Sequence, residues 1–384
     1  MKAGSRRHDS QSSQDRLVML VYPFTYIDEN RKIRHAFEKE NFAMMHAIIL
    51  PVLAGLALFL LGMKLMENAL QSWAGPRLQQ WLERFTRTPV RGLATGTVLT
   101  AALQSSSAIT VIAIGLVGGG VLSFPRTLGV ILGTNIGTCL TTELIGISLG
   151  GIGVPLLLAS AGVWLASWIA GPLPQAGGPD RSAAKSGAAA VTPAAASAGS
   201  GRPWLRGVRY GALAASGFAL VLLGIEIMQT IGPALQSRGL FAWFVLQAQS
   251  SLLWGILAGA AVTALVHSSA AVIAMAMGLA AVGGIPVELG VAITIGANVG
   301  TCVTALIAGM SSNRAGRYVA WSHILLNVGG AVLFYPFIHQ LVAVSGLWAA
   351  DASSQIARSQ TIFNVVCSLI ALPLCYLRRL SEIK

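Results

Sequence analysis

The chain alternates long apolar runs with short polar stretches, and this alternation indicates its class. Several runs approach or exceed the roughly 20 residues that an α-helix needs to cross a hydrocarbon core. Among them are residues 47–66, 128–149, 208–231, 289–309 and 319–342. A buried core helix or a signal peptide could account for one such run, but not for this many. The pattern therefore predicts an all-α integral membrane protein.

Two stretches without an apolar period bound the membrane part. Residues 1–43 are polar and of mixed charge, which predicts a disordered N-terminal extension. Residues 171–206 are rich in Ala, Gly, Ser and Pro, and we expect them to form a cytoplasmic linker. The chain is thereby divided into a first transmembrane repeat, residues 44–170, and a second, residues 207–384.

The two halves share a sequence motif, which indicates an internal duplication. Sliding the second half by 163 positions aligns residues 96–142 with residues 259–305 without a gap, and roughly a third of the positions are identical. The identities are largely Gly and polar residues, which shared hydrophobicity would not generate. They include Thr100, Ser105, Ser106, Gly133, Asn135, Gly137, Thr138 and Cys139 in the first copy, matched by Thr263, Ser268, Ser269, Gly296, Asn298, Gly300, Thr301 and Cys302 in the second.

Each copy begins with two short apolar arms around a polar tip. The arms at residues 93–103 and 108–121 are too short to cross a bilayer comfortably, so we expect a re-entrant hairpin with its tip at residues 104–107. Residues 267–270 form the tip of the second hairpin. A transmembrane helix follows each hairpin, and its Gly and Asn residues predict that it is broken.

Basic residues cluster in certain loops, which indicates how the segments are oriented. They precede the first hairpin, fill the linker, follow the second motif and end the chain, as in cytoplasmic loops. With each hairpin treated as a non-crossing element, the two hairpins enter from opposite faces of the membrane. The predicted fold is an all-α membrane protein of two inverted-topology repeats, each with a re-entrant helical hairpin and a broken transmembrane helix.

Composition agrees with this interpretation and excludes other classes. Of 384 residues, 54% are hydrophobic and 10% are charged. The net charge of +12 is spread over loops without a basic stripe and interleaved aromatic residues, so we expect no nucleic-acid partner. The four cysteines lie in apolar segments without a zinc-binding spacing. We expect a multi-pass protein in the lipid bilayer of the cytoplasmic (inner) cell membrane, and a homodimer stays open.

The two tips are candidate anion sites. Polar side chains at membrane depth are costly unless they meet each other, backbone ends, water or a ligand. At a tip, a helix begins with unpaired N–H groups that favour an anion, and hydroxyl groups add donors. The candidate substrate-binding residues are Gln104, Ser105, Ser106, Ser107, His267, Ser268 and Ser269.

The broken helices are candidate cation sites. An interruption at residues 133–138 or 296–301 would free backbone carbonyls, and hydroxyl and amide oxygens are further ligands for sodium. The residues expected to contact sodium or substrate are Thr134, Asn135, Thr138, Asn298 and Thr301, with the ion itself at Asn135, Thr138, Asn298 and Thr301. The alternative is that these small residues only permit close helix packing.

Carboxylates offer a further set of ion sites. Glu143 and Glu226 are candidates within the membrane, whereas Glu67 and Glu288 lie near span ends and are expected to contact headgroups or loops. Neither motif core contains Arg or Lys, so a bound anion needs helix ends and a cation to balance its charge.

The motifs resemble the type II sodium/phosphate cotransporter family. The resemblance rests on LTAALQSSSA at residues 99–108 and LGVILGTNIGT at residues 128–138, with FLLGMKLM at 59–66, HILLN at 323–327 and TIFN at 361–364. It implies a secondary transporter that takes up inorganic phosphate with sodium as the coupling ion, both serine tips and both Asn/Thr motifs surrounding the site. We expect no organic cofactor and no enzymatic activity.

Two departures from that family pattern bear on function. The second tip has His267 and Ala270 where the family usually has Gln and Ser, so it loses a hydroxyl and gains a titratable ring. This leaves sulfate or a carboxylate open as cargo on the same fold. The chain also stops soon after Arg379, so we expect a member without the soluble helical regulatory domain of many bacterial relatives.

Two other classes of function are weighed against transport. An intramembrane serine hydrolase would need a GxSxG elbow and a paired base in one copy, and the chain has a serine motif duplicated in both. A membrane sensor that does not transport stays open.

Overall fold

The structure is a computed structural model that describes residues 45–75, 77–147, 151–170, 203–237, 246 and 251–381. These residues form helices and turns without a strand, which confirms the all-α class for the described part of the chain. The predicted N-terminal extension and residues 171–202 of the predicted linker lie outside the described residues. Residues 203–206 form the first turn of a helix.

The chain divides into two compact units, the first ending at Leu53 and the second beginning at Ala54. The described part of the first unit is the π-helical Met45–Ile49 and the start of α1. The helices, in chain order, are α1 Leu50–Ala74, α2 Arg77–Phe85, α3 Pro89–Leu103, α4 Ser106–Gly118, α5 Phe124–Ile147, α6 Gly153–Ile169, α7 Pro203–Gln229, α8 Gly232–Ser237, α9 Leu253–Val266, α10 Ser269–Ala281, α11 Val287–Gly300, α12 Cys302–Met310, α13 Arg314–Phe334, α14 Ile338–Gly346, α15 Ala352–Ala371 and α16 Arg378–Ser381.

Within the described residues, six helical segments are long and apolar enough to cross a membrane. They are His46–Ala74, Phe124–Ile147, Trp204–Ala234, Val287–Met310, Arg314–Gly346 and Ala352–Tyr376. This confirms a protein with several membrane-crossing helices. The apolar helices α4, α6, α9 and α10 are shorter, with 10–17 residues each.

In each half, glycines bring one pair of helices into backbone contact. Helix α3 packs on α5, and α9 packs on α11. A Cβ atom on Gly137 of α5 would lie 2.6 Å from the carbonyl oxygen of Thr97, and one on Gly300 of α11 would lie 2.5 Å from that of Ala260. No side chain fits at such distances, so glycine sets the spacing of these helices.

The predicted helix break in the first half is wrong. Helix α5 runs without interruption through residues 133–138. In the second half the chain departs from helix only at Thr301, between α11 and α12. The reason is that Gly133 faces the carbonyl oxygen of Leu93 at close range, so it permits packing and does not break the helix. The packing interpretation therefore holds for this glycine.

The largest buried cluster surrounds α10 and α11 and fixes the start of α10. Ile273, Ala274 and Met277 of α10 are fully buried, as expected of a helix that is apolar on every side. Ser353 of α15 also donates a hydrogen bond to the carbonyl oxygen of Met277, at 2.9 Å. These contacts anchor the body of α10, whose first turn carries the second tip.

Candidate functional site

The two tips have the same backbone conformation. Gln104 ends α3 with a φ of 54°, and His267 ends α9 with a φ of 58°. These are the only non-glycine residues in the described part of the chain with a positive φ. A left-handed residue with a side chain is uncommon and costs free energy, and it tends to occur at functional sites. In both copies it turns the chain directly into the next helix.

The serine that follows each turn caps that helix. The Oγ of Ser105 accepts a hydrogen bond from the backbone N–H of Ala108 at 3.4 Å, at the start of α4. The Oγ of Ser268 accepts one from Ala271 at 3.3 Å, at the start of α10. An N-cap serine satisfies one of the unpaired N–H groups of the first turn, so these two hydroxyls have a structural role.

The next serines differ from the capping ones in their hydrogen bonds. Ser106 and Ser107 of α4 and Ser269 of α10 make no side-chain hydrogen bond to the described residues. They lie in the first turn of their helices, where backbone N–H groups lack intrahelical acceptors and the helix dipole is positive. Each tip therefore presents hydrogen-bond donors, the arrangement that favours an anion.

Both tips line one cavity of about 390 Å³. Its polar lining contains most of the predicted site residues from both halves. They are Gln104, Ser106, Ser107, Thr138, His267, Ser268, Ser269 and Thr301. The cavity is thus lined by the beginnings of α4 and α10 and by the Thr residues of the two matched motifs.

A smaller cavity of about 10 Å³ shares several of these residues. Asn135 and Asn298, the matched asparagines, line it together with Thr138 and Thr301. A cavity of this volume is at the lower limit for holding a single water molecule. The small cavity therefore has room for an occupant of about one atom.

The threonines around the small cavity present oxygen acceptors. Thr138, Thr301 and Thr304 each donate their hydroxyl proton to a backbone carbonyl three residues earlier, at 2.8, 2.6 and 2.9 Å. The Nδ2 of Asn298 donates to the carbonyl oxygen of Thr294 at 3.1 Å. Since these protons are already used, the remaining lone pairs are available to a cation.

The sequence matches the profile of the family described as Na+/Pi-cotransporter over residues 58–175 and 220–345. It is also 30% identical over 327 residues to "Uncharacterized protein YqeW" of Bacillus subtilis (strain 168), covering 85% of this chain and 94% of that protein. The chain belongs to the Na+/Pi-cotransporter family.

Two further relatives carry functional names. "Putative inorganic phosphate export protein YjbB" of Escherichia coli (strain K12) is 24% identical over 326 residues, which are 85% of this chain and 53% of that protein. The chain thus spans about half the length of that relative. "Sodium-dependent phosphate transport protein 2B" of Homo sapiens is 34% identical over 85 residues, 21% of this chain and 12% of the human protein. No solved structure gives a significant match.

In this Na+/Pi-cotransporter family member, two predicted site residues lie away from both cavities. Ser105 is buried under its capping bond and lines neither cavity. Thr134 is fully buried, and its hydroxyl donates to the carbonyl oxygen of Ile131 at 2.8 Å.

The cavity also contains a charged pair that the motifs did not indicate. Lys64 and Glu67 of α1 both line it, and the Lys64 Nζ lies 4.0 Å from a Glu67 carboxylate oxygen. Glu67 thus lines the same cavity as the tips, and its expected contact with headgroups or loops stays a prediction. The available signal was a Lys and a Glu, three residues apart, within an otherwise apolar run.

The two candidate intramembrane carboxylates have structural partners. Glu143 accepts a hydrogen bond from Thr361 at 2.6 Å and pairs with Arg358 at 3.4 Å, which ties α5 to α15. Glu226 accepts a hydrogen bond from the backbone N–H of Gly151 at 3.1 Å. Neither lines the large or the small cavity, and the contacts of each join segments far apart in the chain.

The side chains at the two turns differ in their contacts. The Nε2 of Gln104 donates to the carbonyl oxygen of Ala101 at 2.6 Å, and the Thr141 hydroxyl donates to its Oε1. The ring of His267 is exposed to the large cavity and makes no hydrogen bond to the described residues. The second tip is therefore less constrained than the first.

Proposed function

We propose that this protein is a sodium-coupled secondary transporter that imports inorganic phosphate. The observation that carries the proposal is the arrangement of one connected site. Hydrogen-bond donors from two helix N-termini and acceptor oxygens from the matched Asn/Thr motifs line two cavities that share several residues. A site with both properties suits an anion together with a cation.

The donor side of the site fits a phosphate group. The hydroxyls of Ser106, Ser107 and Ser269 and the backbone N–H groups beside them can each bond a phosphate oxygen. Lys64 adds a positive charge to the same cavity. Because Glu67 lines the same cavity and pairs with Lys64, the two together add no net charge, and the anion still needs helix ends and a cation to balance it.

The acceptor side of the site fits sodium. The oxygens of Asn135, Asn298, Thr138 and Thr301 are neutral, and no cluster of three His, Cys, Asp or Glu side chains suited to a transition metal occurs in the described ranges. Hard oxygen ligands without carboxylate charge suit a monovalent cation better than a divalent one, which proteins usually bind through carboxylates.

The proximity of the two sides gives a physical basis for coupling. Ser106, Ser107, Ser269, Thr138 and Thr301 line both cavities, so the two ligands would lie within a few ångströms of one another. Opposite unit charges 4 Å apart attract by about 4 kcal/mol at an effective dielectric constant of 20. Each ion should therefore raise the affinity for the other by the same factor.

The lengths of the tip helices support a re-entrant topology. Helices α3 and α4 have 15 and 13 residues, and at about 1.5 Å per residue each is shorter than the roughly 30 Å of a hydrocarbon core. In the proposal α3–α4 and α9–α10 enter from opposite faces and meet at the cavity, as inverted repeats do.

The proposed direction follows from the sodium gradient, which is inward across a cell membrane under usual conditions. The Escherichia coli relative is named for export, so the direction needs its own test. The cargo needs one too, because His267 and Ala270 line the cavity at the second tip and leave it one hydroxyl short of the first.

Proteoliposomes containing the purified protein test the proposal. An inward sodium gradient should drive accumulation of radiolabelled phosphate, a choline gradient should not, and a tenfold excess of sulfate or a dicarboxylate should compete poorly. Phosphate flux that is independent of sodium would contradict the coupling. Stronger competition by sulfate or a dicarboxylate would change the cargo, and binding without flux would indicate a sensor.

A further inference from the structure

His323 of α13 lies in the wall of the small cavity with both ring nitrogens unpaired. Its side chain is 4% exposed, and neither Nδ1 nor Nε2 has a hydrogen-bond partner among the residues that the structure describes. Leaving a buried polar atom without a partner destabilises the folded state, so such groups are uncommon in native proteins. Two of them on one ring that faces a cavity point to a missing ligand.

A residue packed in the same way against the first motif, Gln360 of α15, has a satisfied side chain. The Sγ of Cys302 lies 3.6 Å from the carbonyl oxygen of His323, and the Sγ of Cys139 lies 3.8 Å from that of Gln360. His323 and Gln360 are each followed, four positions later, by an Asn whose side chain donates a hydrogen bond to that same carbonyl oxygen. His323 thus packs against the second motif as Gln360 packs against the first.

A difference between the two motifs explains why His323 is unpaired. The hydroxyl of Thr142 donates to the Oε1 of Gln360 at 2.5 Å. The position that matches Thr142, 163 residues later, is Ala305, which has no hydroxyl. Gln360 is therefore used within the protein and lines neither cavity, whereas His323 is left facing the acceptor oxygens of the small cavity.

We propose that His323 contributes to the cation site, with the lone pair of its neutral imidazole directed at the cation. This rests on the proposed function, because it assumes that the small cavity holds the coupling cation. The oxygens of Asn298, Thr301 and Thr304 form the rest of this wall. The imidazole makes the cavity asymmetric, so that cation binding depends more on the second half than on the first.

Two variants separate a ligand role from a packing role. His323→Met removes both unpaired nitrogens, so the ion-free protein should be at least as stable as the parent. His323→Gln combined with Ala305→Ser rebuilds the pair seen at Gln360 and draws the polar group away from the cavity. Thr142→Ala is the matched control, because it breaks a buried hydrogen bond that does not face the cavity.

The readout is the melting temperature of the purified protein against sodium chloride, without phosphate and at ionic strength held constant with choline chloride. A bound ion raises the melting temperature by mass action, and the sodium concentration for half of the shift should rise about tenfold in both His323 variants. It should stay within about twofold of the parent in Thr142→Ala, although that variant melts earlier.

Unchanged half-saturation in both His323 variants, with a parent that responds to sodium, would overturn the role of His323 alone. It would mean that the imidazole meets only an ordered water. A parent whose melting temperature does not depend on sodium would overturn both this inference and the sodium coupling in the proposed function.

Discussion

Replacing Gly137 with Ala should separate α3 from α5 and disturb the site beside it. The added Cβ would lie 2.6 Å from the carbonyl oxygen of Thr97 and 2.6 Å from the Cβ of Thr100. Both neighbours are backbone or branched at Cβ, so neither can rotate away. The two helices have to move apart by a few tenths of an ångström, and Thr138, the next residue, lines both cavities.

The magnitude follows from two opposing effects. Overpacking a close contact costs about 1–3 kcal/mol. This cost is offset by up to about 1 kcal/mol, because alanine has a higher helix propensity than glycine. We expect a net destabilisation of about 1–2 kcal/mol and a phosphate affinity several-fold weaker. Gly162→Ala in α6 is the matched control, since a Cβ there meets no atom within 4 Å. It should stabilise by up to about 1 kcal/mol.

The assay is thermal or denaturant unfolding of both purified variants in the same detergent, followed by phosphate titration. The expected result is that the two substitutions, identical in chemistry, shift stability in opposite directions. If Gly137→Ala were as stable as Gly162→Ala and bound phosphate normally, the close packing of α3 on α5 would not position the site, and the account of the glycines would fail.

Three further predictions address charged groups. Lys64→Met should weaken phosphate binding by a few-fold and reduce its salt dependence, measured by titration at two ionic strengths, with Lys64→Arg as the control. Arg358→Met should cost about 1–2 kcal/mol in unfolding experiments while leaving phosphate affinity unchanged, because Glu143 loses a partly buried partner away from the cavities. Partial burial alone raises the pKa of Asp351, but the hydrogen bonds from Ser354 outweigh it and lower that pKa below its usual value. Asp351→Ala should therefore cost about 1 kcal/mol at neutral pH, a difference that disappears in melting curves as the pH falls through the range in which the parent's carboxylate protonates.

The sequence predicts much of the fold because apolar runs and duplicated motifs can be recognised directly along the chain. Run length indicates the crossing helices, and the matched motifs indicate which residues share a site. Ser106 and Ser269 could be chosen because a polar group repeated at membrane depth needs an explanation. Ser105 could not be told apart from them, since only the backbone of the turn makes it a cap.

The rest depends on contacts that sequence spacing does not record. A glycine in a membrane helix permits either a break or close packing, and only the position of Leu93 decides for Gly133. Lys64 lies on a helix outside the repeat motif, so its approach to the cavity follows from tertiary packing. His323 was visible only as part of a family resemblance, and its missing partner is apparent only when Ala305 is compared with its counterpart.

Calorimetric titration of phosphate into the purified protein, in sodium and in choline at equal ionic strength, tests the central claim most directly. The account predicts binding at least about tenfold tighter in sodium, and a loss of about 1.5–3 kcal/mol in Ser106→Ala, whose hydroxyl faces the anion. Ser160→Ala, which alters a serine pair with Ser216 at 2.9 Å outside both cavities, should bind as the parent does. Equal phosphate affinity in both salts, with Ser106→Ala indistinguishable from Ser160→Ala, would contradict a phosphate site at the tips coupled to sodium.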